Sequence, residues 1–211
     1  MLIAFDYDGV LVDSMEEIIK FANRARHLVG FNRQVTKEDL QNFENLTFES
    51  VGRFLGISED NILRFSKQIM GLLQANLAKS KVFIGMPEVI RSLSNEHTIV
   101  LITSNLKDNV KKVLMEHDLD SSVKNIFDGS DPSSKSEKII RAGSQYNFPT
   151  NQIIMIGDSK SDIHQGKVAG AKTIAVTWGY QPLDVLLTAS PDYIAKSPSD
   201  IIEICEQAAA L

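Results

Sequence analysis

Cysteine is almost absent from this 211-residue chain: Cys205 stands alone. One thiol cannot build an intrachain disulfide framework, and the scarcity fits a reducing compartment. Its setting, "SDIIEICEQAAAL", has helical spacing, so a buried thiol is expected rather than a reactive one. Long apolar runs are missing too. None reaches the roughly 18 residues that a bilayer span requires, so no membrane partner is expected. The start "MLIAFDYDGVLVDS" does not read as a secretory leader, because Asp6 and Asp8 interrupt any apolar h-region, and a cytoplasmic location is the expectation. There is no basic excess. A formal net charge of −5 argues against a nonspecific nucleic-acid binder. What remains is an ordinary folded composition, 43% hydrophobic and 23% charged, long enough for one sizeable core and a smaller satellite domain.

The pattern along the chain changes character twice. "LIAF" at Leu2–Phe5 is short, apolar and part-branched, as expected of a strand buried on both faces. From about residue 15 to 80 the signals are helical, with Ser14, Thr36, Thr47 and Ser58 as candidate caps. The phenylalanines of this block, Phe21, Phe43, Phe48, Phe54 and Phe65, read as its core. After "FIGMPEVIRSLSNE" strands and helices alternate: "TIVLIT", "VKNIFDGS", "QIIMIG", "KTIAVTW" and "PDYIAKS" are strands separated by helical stretches. Such alternation predicts an α/β fold, a Rossmann-like parallel sheet covered on both sides. The helical block interrupts that plan directly after its first strand and reads as an all-helical insertion. The expected division is a core of residues 1–14 and 84–211 and an inserted domain of residues 15–83.

Chemistry-bearing residues gather at strand ends, where ligands of open α/β sheets bind. Asp6 and Asp8 follow "LIAF", Ser104 and Asn105 follow "TIVLIT", Lys135 opens a helix, and Asp158 follows "QIIMIG". Asp6, Asp8 and Asp158 brought together would repel one another without a cation, and hard carboxylate oxygens suit Mg²⁺. Ser104 and Lys135 add a hydroxyl and a point positive charge suited to phosphate oxygens. The sum is a phosphoryl-transfer site with a carboxylate available as nucleophile.

"DYDGVLVDS", "LITSN", "SKSEKI" and "IGDSKSDI" resemble, in order, the four motifs of the haloacid dehalogenase-like (HAD) phosphohydrolases. The overall pattern is most similar to the phosphoglycolate phosphatase-like branch, whose helical cap lies between the first two motifs. The resemblance implies a Mg²⁺-dependent phosphatase for small phosphorylated metabolites such as phosphoglycolate or a sugar phosphate. It makes Asp6 the nucleophile that becomes an aspartyl-phosphate and Asp8 the general acid and base. The carboxylates of Asp6 and Asp158 and the backbone carbonyl of Asp8 would hold Mg²⁺, with Asp162 in a supporting role. Ser104, Asn105 and Lys135 would contact the phosphoryl group, and Gly9 would let the backbone approach it closely. Neither a nucleic-acid nor a membrane partner is implied, and the chain is expected to act as a monomer or homodimer.

Several assignments stay open at this level. Lys138 rivals Lys135, and Thr103 rivals Ser104, although Lys135 with Glu137 and Ser104 with Asn105 fit the motifs better. Arg53 is either a substrate contact or an exposed helix residue. The mutases of the same fold usually carry a cap histidine where Ile18 stands, and a catalytically silent binding module is the alternative from another class. Asn45 stands near the place where relatives often carry a specificity-loop glycine, which weakens transfer of any one substrate.

Overall fold

The structure, a computed structural model, describes residues 1–30, 32–41, 47–76 and 81–209. Its contacts divide into two compact units, Met1–Asp13 with Lys81–Leu211, and Ser14–Ser80.

The first unit is built on a six-stranded, all-parallel sheet. Its strands are β1 (Leu2–Phe5), β4 (Thr98–Ile102), β5 (Asn125–Phe127), β6 (Ile153–Gly157), β7 (Lys172–Val176) and β8 (Tyr193–Ala195), in the spatial order β5-β4-β1-β6-β7-β8. Every residue of β1 is buried, because helices cover both faces. Alternate side chains serve different layers. Ile3 and Phe5 join a core with Val89 and Ile90 of α5 (Met86–Ser94), Val110 and Val113 of α6 (Lys107–Glu116), and Ile201 of α10 (Pro198–Ala209). Leu2 and Ala4 point to the other layer, with Ile139 and Ala142 of α7 (Lys135–Tyr146). Cys205 is fully buried in the first of these cores, and burial pushes its thiol up to about 12. A reactive thiolate is therefore disfavoured there.

This strand order places the site. The chain moves outward from β1 through β4 to β5, then resumes on the opposite side with β6, β7 and β8. The carboxyl ends of β4, β1 and β6 thus lie side by side at the point where the winding reverses, where a crevice opens in such sheets. Helix α8 (Lys160–Val168) follows β6, and the short α9 (Leu183–Leu187) follows β7. The sequence pattern does not predict α9, whose five residues cover barely more than one helical turn. Also unpredicted is a two-residue antiparallel ribbon, β2 (Val12–Asp13) with β3 (Lys81–Val82), formed where the chain leaves the first unit and re-enters it. Two residues cannot show alternation.

The second unit contains α1 (Met15–Leu28), α2 (Lys37–Gln41), α3 (Phe48–Phe54) and α4 (Glu59–Asn76). Thr47 and Ser50 form a reciprocal capping box at α3, and Thr36 and Asp39 exchange the equivalent bonds at α2. Ser14 occupies the N-cap position of α1 without a side-chain capping bond, which corrects the expectation for it. Phe21, Phe65 and Ile18 are buried, whereas Phe54 is 39% exposed beneath the Arg33 guanidinium, 4.1 Å from its ring centre. Phe54 thus serves a surface cation–π contact instead of the core. Phe43 and Asn45 lie outside the described residues. Arg53 is an exposed helix residue paired with Glu59 at 2.9 Å.

Leu101 sits in β4 with no exposure, among side chains from β1 and the covering helices. Leu101→Ala is expected to destabilise the first unit by about 2–5 kcal/mol, the usual range for a core leucine truncation. Chemical denaturation monitored by circular dichroism measures it, and a change below about 1 kcal/mol would contradict this account of the core.

Candidate active site

Asp6 is the residue at which β1 stops. Its N–H still donates to the Ile156 carbonyl at 2.9 Å, so the ladder with β6 fixes its backbone. Beyond it the chain curls: the Tyr7 carbonyl accepts from both Leu11 and Val12, and Gly9 adopts φ +82°. This turn places Asp8, half-buried, within reach of Asn105, whose Nδ2 donates to Asp8 Oδ2 at 3.3 Å. Asn105 stands just past β4, beside the exposed Ser104. The rival hydroxyl, Thr103, is buried, and its Oγ1 accepts from the Asn105 N–H at 2.9 Å.

The carboxyl end of β6 supplies two more acids. Asp158 is only 2% exposed, and its Oδ2 accepts from the Tyr180 N–H at 2.7 Å. Asp162, 1% exposed, completes a capping box at the start of α8. Its Oδ2 accepts from the Ser159 hydroxyl at 2.6 Å and the Ser159 N–H at 3.2 Å. Lys135, the first residue of α7, is set by the Ser134–Glu137 capping box. Its ammonium lies 2.9 Å from Asp6 Oδ1 and 2.5 Å from Asp162 Oδ1. Lys138 points elsewhere and donates to the Asp128 carbonyl at 2.8 Å.

Asp6, Asp158 and Asp162 therefore converge, with one oxygen from each lying within 4.8 Å of the others. Burial is the largest influence on the Asp6 carboxyl and lifts it to about 7, against the pull of Lys135. Burial, then the neighbouring Asp162 and Asp6 charges, raise Asp158 well above the usual carboxylate range. For Lys135 burial acts to lower the pKa, but the charges of Asp162 and Asp6 overcome it and raise the value. Fully ionised, three carboxylates against one ammonium would leave two negative charges uncompensated, which is what the raised Asp6 and Asp158 resist. A set of carboxylate oxygens with that deficit fits a hard divalent cation.

Space for the cluster comes from glycine. A Cβ on Gly9 would lie 2.0 Å from Asp158 Oδ2, and one on Gly179 would lie 2.2 Å from Asp158 Cβ. Gly9, expected from the resemblance to admit a phosphate, makes room here for the Asp158 carboxylate. The loop of Gly179, Tyr180 and Gln181, whose Tyr180 reads in the sequence as packing the sheet edge in a loop that could line the site, carries no charged side chain. It acts through missing atoms, a backbone N–H, and the buried Gln181, whose Oε1 accepts from the Lys160 N–H at 2.7 Å.

The sequence pattern of the haloacid dehalogenase-like hydrolases matches residues 3–176 of this chain. The chain belongs to this family. A phosphoglycolate phosphatase from Synechococcus elongatus is 24% identical over 206 residues, covering 97% of each chain. Pyrophosphatase PpaX from Bacillus velezensis is 26% identical over 211 residues, with 96% of this chain and 94% of that one covered. Among solved structures, a haloacid dehalogenase-like family hydrolase from Streptococcus pneumoniae superimposes with a TM-score of 0.86 at 23% identity, covering 96% and 97% of the two chains. This haloacid dehalogenase-like hydrolase therefore shares its fold and extent with relatives over nearly their whole length. Among the described residues no helix is long and apolar enough to cross a membrane.

The raised carboxyls give a sign to the pH dependence. Unfolding returns Asp6 and Asp158 to values near 4, so the folded state holds more protons than the unfolded chain above that pH. The contribution of these two groups to stability is fully present below about pH 4 and is lost as pH rises through the raised values. In the presence of a chelator, the melting temperature is expected to fall between about pH 5 and about pH 8, as read by differential scanning fluorimetry. A rise over that interval would show that these acids are not held protonated by burial.

Proposed function

We propose that this hydrolase is a Mg²⁺-dependent phosphatase that cleaves small phosphate monoesters through an aspartyl-phosphate on Asp6. The observation that carries the reading is the lysine bracketed by two acids: Lys135 holds Asp6 at a strand tip, beside Asp158 and Asp162. That arrangement presents a nucleophilic oxygen next to fixed positive charge, as phosphoryl transfer needs.

Asp6 attacks phosphorus, and the bond to the ester oxygen breaks. The departing electron pair takes its proton from the Asp8 carboxyl. Asp8, now a carboxylate, removes a proton from water as the water oxygen attacks the phosphoryl group. The bond to Asp6 breaks, phosphate leaves, and both aspartates return to their starting forms. Ser104 and Asn105 donate to phosphoryl oxygens, and Lys135 balances their charge. The carboxylates of Asp6 and Asp158 and the carbonyl of Asp8 would hold Mg²⁺, which when bound offsets the acidic cluster and draws charge from the phosphoryl oxygens. Both Asp162 oxygens already have partners in Lys135 and Ser159, which suits a supporting role.

The substrate class follows from relatives named phosphoglycolate phosphatase, and a small phosphorylated metabolite in the cytoplasm is the reading we adopt. The single buried thiol fits that compartment. Ile18, standing where mutases usually carry a histidine, is buried in the second unit and offers no proton-transfer group.

Phosphate release from a panel containing phosphoglycolate and sugar phosphates, with Mg²⁺ or with EDTA, tests the reading. Asp6→Asn is expected to remove turnover, and Asp8→Asn to slow it by about 10²–10⁴-fold. Near-native activity in Asp6→Asn would exclude the covalent route, and undiminished activity in EDTA would exclude the metal.

A further inference from the structure

Asn105 is more tightly specified than a phosphate contact requires. Its N–H donates to Thr103 Oγ1 at 2.9 Å, and its carbonyl accepts from the Gly129 N–H at 2.8 Å. Its side-chain Oδ1 accepts from the Leu106 N–H at 2.9 Å and from Asn109 Nδ2 at 3.0 Å. A backbone N–H can only donate, so the Leu106 bond settles which end of the amide is oxygen. The NH₂ end then faces Asp8 Oδ2, at 3.3 Å.

Asn109 lies on the first turn of α6, four residues after Asn105, and is buried. The start of that helix is itself fixed, since the Lys107 N–H donates to Asp128 Oδ2 at 2.8 Å and the Asn109 N–H to the Leu106 carbonyl at 3.0 Å. From that fixed backbone Asn109 presents its NH₂ to the same Asn105 oxygen, as a second donor beside Leu106.

We propose that Asn109 is a positioning residue: it locks the Asn105 amide with its NH₂ toward Asp8 and thereby aims the Asp8 carboxyl for its proton exchanges. The proposal rests on the acid–base role given to Asp8 above. The physical reason lies in the alternative. A flipped Asn105 would turn its oxygen to Asp8, accept the proton of the carboxylic acid, and hold it away from the leaving oxygen. One donor, Leu106, opposes that flip weakly. Two oppose it firmly.

The test uses two esters of similar shape, phenyl phosphate and 4-nitrophenyl phosphate, with Mg²⁺ present. Phenolate needs its proton on departure far more than nitrophenolate does. Here kcat/KM covers binding and the attack on Asp6, and the folded fraction scales it equally for both esters, so their ratio on one preparation does not depend on that fraction. Asn109→Asp replaces the donor by an acceptor of the same shape and is expected to lower kcat/KM for phenyl phosphate by about tenfold, a fraction of a full general-acid contribution. The loss on 4-nitrophenyl phosphate should be several-fold smaller. Asn109→Ala leaves Leu106 in place and should be milder than Asn109→Asp, the reverse of what a packing role alone gives. Asn105→Asp keeps an oxygen for Leu106 and removes the donor to Asp8, so it should show the same dependence on leaving group, and it serves if Asn109→Asp does not fold. Equal losses on both esters, or Asn109→Ala worse than Asn109→Asp, would overturn the proposal while the phosphatase reading stands. A wild-type protein inert toward both esters and toward the phosphoglycolate and sugar-phosphate panel would remove that reading and this inference with it.

Discussion

Buried negative charge is the constraint around which the first unit is arranged. Asp6, Asp158 and Asp162 lie out of water within a few ångströms of one another, and Lys135 is the single ammonium bonded to the cluster among the described residues. Without it, desolvation and mutual repulsion would cost several kcal/mol for each ionised group. Even with it a fully ionised cluster would be two charges short of neutrality, and burial lifts the Asp6 carboxyl toward neutral pH. A site of this kind is adapted to something positive that arrives later. Its own stability is secondary, as is common where strain and unmet charge are kept for function.

The scaffold meets the constraint with backbone more than with side chains. The ladder between β1 and β6 sets Asp6, the Tyr180 N–H sets Asp158, and capping boxes set Asp162 and Lys135. Helix starts and strand ends have fixed geometry, so the carboxylates are held by elements that cannot easily relax away from one another. The reversal of winding between β1 and β6 is what brings such ends together from segments about 150 residues apart in sequence.

Much of this is legible in the chain because the carriers are local patterns. A strand tip followed by acids, or a threonine with an acid three residues on, announces itself without neighbours, as Asp6, Asp158 and the Thr36–Asp39 pair show. The alternation of apolar runs and helical stretches likewise predicted the parallel sheet, since burial on both faces leaves continuous apolar strands. What stayed hidden depends on approach in three dimensions. Gly179 matters through the Cβ it lacks, Tyr180 through its N–H, and Asn109 through an amide one helical turn from the residue it supports. The β2–β3 ribbon and α9 are too short to carry a period, and Phe54 looks like core until Arg33 is found stacked on it.

The same contrast explains why the chemistry reads more clearly than the substrate. On the proposed reading the clustered groups act on the phosphoryl centre, which all monoesters share, and binding that common part strengthens every candidate equally. Discrimination between esters must come from contacts to the alcohol. The names of the relatives agree with that separation: a phosphoglycolate phosphatase and a pyrophosphatase match this chain along nearly their whole length at similar identity. One framework is thus compatible with different leaving groups. Residues that select among them answer to the shape and polarity of one molecule, and such residues need share no spacing that a sequence pattern could reveal.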